Sequence, residues 1–491
     1  MRFSHFILIS SLCVSALSYA DDEIAQVEDL GQPISAVAHL QSLSEIQEQP
    51  FQVPTIHALK NRYGVQSAFV QVNDLPMVDI QLMFDAGSVR DREIDPELSG
   101  VANMAAQLMS KGTARYSAEQ ISRYFEDLGA KYSIQAQRDS FVVTLRVLSE
   151  PKKIDAALDM LLHLLNDTNF AQKNMTQTVQ SNQQGQKQLQ ENGSRLIQLQ
   201  FYRSVYGQHP YASSSNGTGK SMAKIEAQHL QKFRSEYLVR ENLNIAITGK
   251  LSQSKANAIA NTISQHIPSG RKAAAIAVAQ DTRRWNIQHI QQNASQAHVM
   301  LGHLTTSRHD PDRLALEVAN RMLGNSSFNS LLMQELRIKR GYTYGASSAV
   351  SFPKSTGMFS ISYSTEQAQL LDSIQVAHQT LIRFLTQPID PALLQETKSG
   401  MLKAFPLNFA SNASINGQIA TLGFHQEPLS YLANYRAQVE KLSAADVEAA
   451  VRRHLRANQL TVVVVSNQLD KIALQKMLEA NLQSSSTITS P

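Results

Sequence analysis

From Met77 to Phe84 the chain alternates. Val78, Ile80, Leu82 and Phe84 fall on one side, with Asp79 and Gln81 between them, the two-residue period of a strand with one buried face. From Leu98 to Met109 the apolar residues recur every three or four positions, which predicts a helix. Ser117 and Gln120 form a helix-opening Ser-x-x-Gln box, and Gly129 stands where a helix ending at Leu128 needs its left-handed cap. Phe141 to Val147, Leu243 to Ile247 and Leu460 to Val464 read as further strands. The polar, Gln-rich stretch from Ala171 to Tyr206 predicts long helix with a solvated or partner-facing surface. Strands and helices mix without regular βαβ alternation, so the fold class is α+β.

The pattern is written twice. Val101-Ala102-Asn103 returns as Val318-Ala319-Asn320, Lys224-Ile225 as Lys441-Leu442, and Leu243–Ile247 as Leu460–Val464, all at an offset of 217 residues. An Asp-Pro turn precedes both Val-Ala-Asn runs, at Asp95-Pro96 and Asp310-Pro311. Matches in one register on like elements identify an internal duplication. The expected organisation is one homologous unit over 51–265, a linker over 266–284 marked by Pro268-Ser269-Gly270, and a second unit over 285–483. A polar leader at 21–50 precedes them, and a Ser/Thr-rich tail at 484–491, expected to be disordered, follows.

Composition narrows the function. Of 491 residues, 45 are Lys or Arg against 41 Asp or Glu, which leaves no broad basic surface for nucleic acid. The single cysteine, Cys13, excludes a disulfide framework and a thiolate metal site. It lies in the apolar run Phe6 to Val14, between the basic Met1-Arg2 start and the small residues Ser18 and Ala20. That is the layout of a secretory signal peptide cleaved near Ala20, and the expected location is the periplasm or outside the cell. The run is too short to span a bilayer, and no later stretch is apolar enough to do so.

Two local patterns look chemical. Gly217-Thr218-Gly219-Lys220-Ser221 ends like a phosphate-binding loop, but Ser214 stands where the first glycine belongs and no strand leads in. None of the 14 histidines has another within four residues, so no local imidazole clamp for a metal exists. His209, before Pro210, reads as a loop-packing residue.

A wider constellation is more specific. Ala86-Gly87-Ser88, Ser99-Gly100-Val101-Ala102-Asn103, Lys111-Gly112-Thr113, Leu128-Gly129-Ala130 and His209-Pro210-Tyr211 together resemble the N-terminal half of the pitrilysin/insulinase zinc peptidases, the family of the mitochondrial processing peptidase. Leu323-Gly324-Asn325-Ser326-Ser327-Phe328-Asn329, with Arg337 and Tyr344, resembles the family's C-terminal glycine loop and arginine/tyrosine motif. The resemblance spans roughly residues 52–480 and implies two homologous α+β domains enclosing half of a chamber. Active members carry His-x-x-Glu-His before Lys-Gly-Thr, and this chain has Asn103, Ala106 and Gln107 at those positions. Neutral amides are poor zinc ligands and alanine cannot accept a proton. Asn182, Gln183 and Gln184 fill the window of the family's third ligand, a glutamate.

The resemblance therefore implies a chain that binds no metal or other cofactor of its own. It would partner a second subunit of the family that carries the zinc motif and the zinc, with an extended peptide as shared substrate. Arg337 and Tyr344 would serve catalysis as substrate and transition-state contacts, and Gly324, Asn325, Ser326, Ser327, Phe328 and Asn329 would contact substrate. The alternatives are a pseudopeptidase acting only as a peptide-binding or scaffold protein, and a peptide-binding homodimer.

Overall fold

The computed structural model describes residues 51–324 and 328–486. The expected signal peptide and leader, Asn325 to Ser327 and the last five residues lie outside the described residues.

Six strands form the first sheet. They are β1 (His57–Ala58), β2 (Gln66–Gln71), β3 (Met77–Phe84), β4 (Lys131–Ala136), β5 (Phe141–Leu148) and β6 (Leu243–Gly249), in the order β1-β2-β6-β3-β5-β4. Five form the second: β7 (Asn286–Gln291), β8 (Gln296–Leu304), β9 (Ala346–Val350), β10 (Met358–Glu366) and β11 (Thr461–Ser466), in the order β7-β11-β8-β10-β9. The duplication is visible strand by strand. In each sheet one parallel pair, β2 with β6 or β7 with β11, sits beside an antiparallel run.

The first half carries helices α1 (Val101–Met109), α2 (Ala118–Asp127), α3 (Pro151–Asp167), α4 (Gln172–Glu191), α5 (Gly193–Tyr206), α6 (Ala227–Tyr237) and α7 (Gln253–His266). The second carries α8 (Arg313–Gly324), α9 (Leu370–Thr386), α10 (Pro391–Ala404), α11 (Asn412–Phe424), α12 (Tyr431–Lys441), α13 (Ala444–His454) and α14 (Lys471–Ser486). The capping box at Ser117 and Gln120 forms in both directions, and Gly129 takes φ 62°. Helix α14 runs past Ser484, where the sequence places the start of the tail.

One face of each sheet packs on helices of its own half. Val78, Ile80, Leu82 and Phe84 meet α1, α3, α6 and α7 in the first core, and Val299, Leu301, Phe359 and Ile361 do the same in the second. The opposite faces are covered by exchange. Helix α5 of the first half lies over β8 and β11 of the second, and α11 of the second lies over β6, β3 and β2 of the first. Ile197, Phe201 and Tyr206 of α5 join Met300, Leu304, Val463 and Val465. Ile415, Ile419, Ala420 and Phe424 of α11 join Ala68, Val70, Met83 and Ala246.

This exchange corrects two sequence readings. Strand β3 is buried on both faces, so Asp79 is enclosed as an ion pair with Arg146 at 2.8 Å rather than facing water. The Gln-rich stretch is two helices broken at Asn192, which caps the second by accepting from Arg195 N–H at 3.0 Å. Helix α4 keeps the polar surface expected of it, whereas α5 buries one face against the second sheet and exposes the other. Polar bonds also cross the exchange: Asn244 Nδ2 donates to Ala420 O at 3.1 Å, and Asn286 Nδ2 to Ser204 O at 3.1 Å.

The connection between the halves is extended but tied down. Ala274 O accepts from Arg90, Ala277 O from Ser355 Oγ, and Ala279 N–H donates to Thr356 Oγ1. Because each half fills the other's core, we expect one cooperative unfolding transition. Truncating the buried Phe201 to Ala should lower stability by about 3–5 kcal/mol without splitting that transition. Urea unfolding followed by near- and far-ultraviolet circular dichroism checks both points.

Candidate functional site

Helix α1 carries the positions where an active zinc peptidase of this pattern places its ligands. Its start is held from three sides. Gly100, the N-cap, takes φ 93°. The buried Asp91 carboxylate accepts from Gly100 N–H at 2.6 Å and from Ala102 N–H at 2.9 Å. Burial pushes this carboxyl up to about 7, against the opposing pull of the backbone donors at the helix start. The loop that resembled a phosphate cradle supplies the third support. Ser221 Oγ donates to Ser99 O and accepts from Ser99 N–H, at 2.8 and 2.6 Å. A Cβ on Gly217 would lie 2.5 Å from Ser99 O. The glycines thus serve close backbone packing against α1.

On α1, Asn103 is half-buried, Ala106 buried and Gln107 exposed, with Asn103 and Gln107 one helical turn apart on one face. Helix α4 packs across α1, but its amides hold a loop. Asn182 Nδ2 donates to Asn216 O at 2.7 Å and Gln186 Nε2 to Gly217 O at 3.2 Å, while Gln183 and Gln184 are exposed. The donor set is therefore neutral amide throughout, without imidazole or carboxylate, and it does not fit zinc. Among the described residues, the one group with ligand-like spacing is Asp310, Asp312 and His454. It lies in the second half, where Arg453 grips Asp312 through Nη2 at 2.6 Å and Nε at 2.7 Å. That group is an ion-pair network joining α8 to α13.

The second half keeps its motif in ordered form. Arg337 sits in a π-helical turn, Met333–Ile338, whose Met333 and Leu336 are buried. Glu335 anchors the turn by pairing with Lys339 and Arg340, each at 2.7 Å, and with Arg383 at 3.3 Å. Burial opposes its ionisation, but these cations hold its carboxyl down to about 2. Arg337 Nη1 donates to the backbone carbonyl of Tyr344 at 2.7 Å, and the guanidinium lies 4.7 Å from the Phe328 ring centroid. The Tyr344 side chain is left 86 % exposed. The structure thus brings together Phe328, Arg337 and Tyr344, but through the tyrosine's main chain and not its phenol.

The other expected contacts separate. Gly324 is buried at the end of α8, where a Cβ would lie 2.7 Å from Ser348 N of β9, so its role is backbone packing. Asn329 Nδ2 donates to Glu396 Oε1. His209 packs as expected: Nε2 lies 2.8 Å from Ala277 O, and Nδ1 accepts from Tyr211 N–H at 3.1 Å.

What the sequence reading missed is the surface beside the exchanged helices. Cross-strand pairs share a face, so Met300, Ser362 and Ser347 line one face of β8, β10 and β9, with Ser364 opposite His298. Ser347 Oγ and Ser362 Oγ are 3.1 Å apart. The first sheet repeats this, with Ser133 Oγ 2.9 Å from Thr144 Oγ1 on β4 and β5. Serines at alternate positions of Ser360, Ser362 and Ser364 were the available signal.

Two duplicated α+β units with a ligand-bearing helix in the first and an Arg–Tyr loop in the second define a metallopeptidase fold whose metal site is amide-substituted. Comparison with known proteins bears on the fold and the family. The sequence model "Insulinase (Peptidase family M16)" matches residues 69–219, and "Peptidase M16 inactive domain" matches 224–401. The solved "peptidase M16 inactive domain from Pseudomonas fluorescens" superposes with TM-score 0.80 at 30 % identity, covering 84 % of this chain and 98 % of that one. A "Non-peptidase homolog YmxG" of Helicobacter pylori is 22 % identical over 418 residues, 84 % of this chain and 94 % of that protein. An "Uncharacterized zinc protease" of Rickettsia felis is 25 % identical over 300 residues, 60 % of this chain and 71 % of that protein. The chain belongs to the pitrilysin/insulinase (M16) peptidase family.

Removing the carboxylate that holds α1 tests the packing account. Asp91→Ala should cost about 2–4 kcal/mol, because two buried N–H groups lose their acceptor. The change is measured by urea unfolding, and the Ser213 to Ser221 loop should become more sensitive to limited proteolysis.

Proposed function

We propose that this chain is the zinc-less subunit of an exported, periplasmic two-chain metallopeptidase. In this reading a partner subunit with an intact His-x-x-Glu-His motif supplies the zinc and its activated water. This chain supplies Arg337, Tyr344 and a polar wall to a shared chamber. The observation that carries the reading is the contrast between the two motifs. On α1 both ligand positions hold amides and the base position holds a methyl group. In the second half, a buried-glutamate network and Arg337 together fix a loop that leaves one phenol in solvent.

The geometry divides the roles of the pair. Arg337 holds the carbonyl of Tyr344 and so positions the loop. The exposed Tyr344 hydroxyl is the group free to donate to an oxyanion forming on a substrate carbonyl bound across the subunit interface. A peptide lying extended along the sheet edge at β9 would bond main chain to main chain, with the Phe328 ring beside it. The scaffold reading draws on a different observation, the name "non-peptidase homolog" carried by the Helicobacter pylori relative.

Co-purification from the native envelope, followed by a peptide hydrolysis assay, separates the two. The metallopeptidase reading expects a zinc-motif subunit of the family in the complex and turnover that neither chain shows alone. A complex without that subunit, or without hydrolysis, favours the scaffold. In the active complex Tyr344→Phe and Arg337→Ala should each lower kcat about 100-fold with assembly unchanged by size-exclusion chromatography. Normal turnover would leave both residues structural. Elemental analysis of the purified chain alone should find well under one zinc per molecule, and about one tightly held zinc would overturn the amide argument.

A further inference from the structure

A second feature lies beside Tyr344, between the first turn of α5 and strands β8 and β10. It is a cavity of about 300 Å³ lined by Gln198, Gln296, His298, Tyr344, Ser362 and Ser364 among others. We propose that this cavity is a recognition pocket for an uncharged hydrogen-bonding side chain of a bound peptide, a carboxamide above all. The proposal rests on the peptide-binding reading above and names the specificity of that site.

The lining includes no Lys, Arg, Asp or Glu. A charged side chain entering it would lose water without gaining a counter-ion, which is costly. An apolar side chain would meet Ile197 and Met300, which also line the cavity, but would desolvate the serines, the imidazole and the amides without replacing their bonds, which costs more than that contact returns. A carboxamide brings two donors and an acceptor in one plane, and suits a wall that offers both. Gln198 and Gln296 have no hydrogen-bond partner for their side chains among the described residues, so their capacity is unspent.

His298 is built into this wall. Its Nδ1 lies 2.8 Å from Ser364 Oγ, and burial holds the imidazole below its usual value, so the ring is neutral near pH 7. Gly193 makes room for it: a Cβ there would lie 2.5 Å from His298 Cδ2. Helix α5 thus opens with a glycine where the ring passes under it, and the exchanged helix forms one side of the pocket. The pocket therefore exists only when the two halves are assembled.

The test uses the full chain and fluorescence anisotropy. The probes are three labelled dodecapeptides on an Ala/Gly frame, with Gln, Leu or Glu at one central position. The Gln peptide should bind at least about five-fold more tightly than the other two, the effect of one or two net hydrogen bonds. Gln198→Leu, a change at an exposed position, and His298→Leu should each remove that preference. Arg337→Ala should weaken all three peptides alike. Equal binding of the three peptides, or a Gln preference that persists in both Leu variants, overturns the pocket and leaves the peptide-binding reading standing. Failure of all three peptides to bind overturns the peptide-binding reading and the pocket with it.

Discussion

The structure depends on the reciprocal loan of one helix. Each sheet has two apolar faces, and each half has enough helices of its own to cover only one. Helix α11 buries residues on more than one side because it is wedged between the first sheet on one side and its own half on the other. Ile415, Ile419 and Phe424 face Val70 and Met83, while Leu422 joins Phe405 and Leu432. Its buried Asn416 is bonded within the contact, where Oδ1 accepts from Thr248 Oγ1 at 3.2 Å. Helix α5 does the same work on the second sheet with Ile197 and Phe201. The duplication is thus more than two similar domains on one string, since each is completed by the other. The extended connection, with its carbonyls taken by Arg90 and Ser355, keeps the exchange within one chain.

The periodicities that sequence reading relies on are those of elements packed against their own half, and these were legible. Strand β3 runs over the residues its alternation marks, α2 starts at its capping box, and the offset of 217 brings matching strands into equivalent places in the two sheets. The exchange was not legible, because it concerns the face that the alternation assigns to solvent. Asp79 and Gln81 look like the wet side of a strand, yet Met83 and Ala246 on that side meet α11. For the same reason the glutamine-rich stretch concealed a helix, α5, with one face buried against the other half's sheet. The buried side chains of α5, Ile197, Phe201 and Tyr206, form one stripe, the face seated on the sheet.

The candidate site divides along similar lines. The missing ligands could be read by position, since Asn103, Ala106 and Gln107 are defined by their distance from Lys111-Gly112-Thr113. What the residues around them do could not. Gly217 and Ser221 looked like nucleotide chemistry and turn out to clamp the start of α1. Asn182, in the window of a vanished ligand, bonds the neighbouring loop through Asn216 O. Helix α1 needs no metal to stay in place. It is held by Asp91 at its start, by Ser221 beside it and by a buried face running from Val101 to Met109. Amides at the ligand positions are poor zinc ligands, and they leave this packing intact.

The same logic explains why the second half's motif is compatible with a role that the first half has lost. A tyrosine 86 % exposed contributes little to a core, so its placement is not explained by stability. What fixes it is a chain of charges: Lys339, Arg340 and Arg383 hold Glu335, Glu335 anchors the π-helical turn, and Arg337 on that turn holds the Tyr344 carbonyl. Several ionic side chains are ordered in order to present one aromatic group to solvent. Ordering long side chains carries an entropic cost, and although Glu335 is buried its cationic partners are substantially exposed, where ion pairing returns little of it. The arrangement is accounted for most economically when the exposed face of Tyr344, together with the neutral wall of Gln198, His298 and Ser364 beside it, meets a ligand.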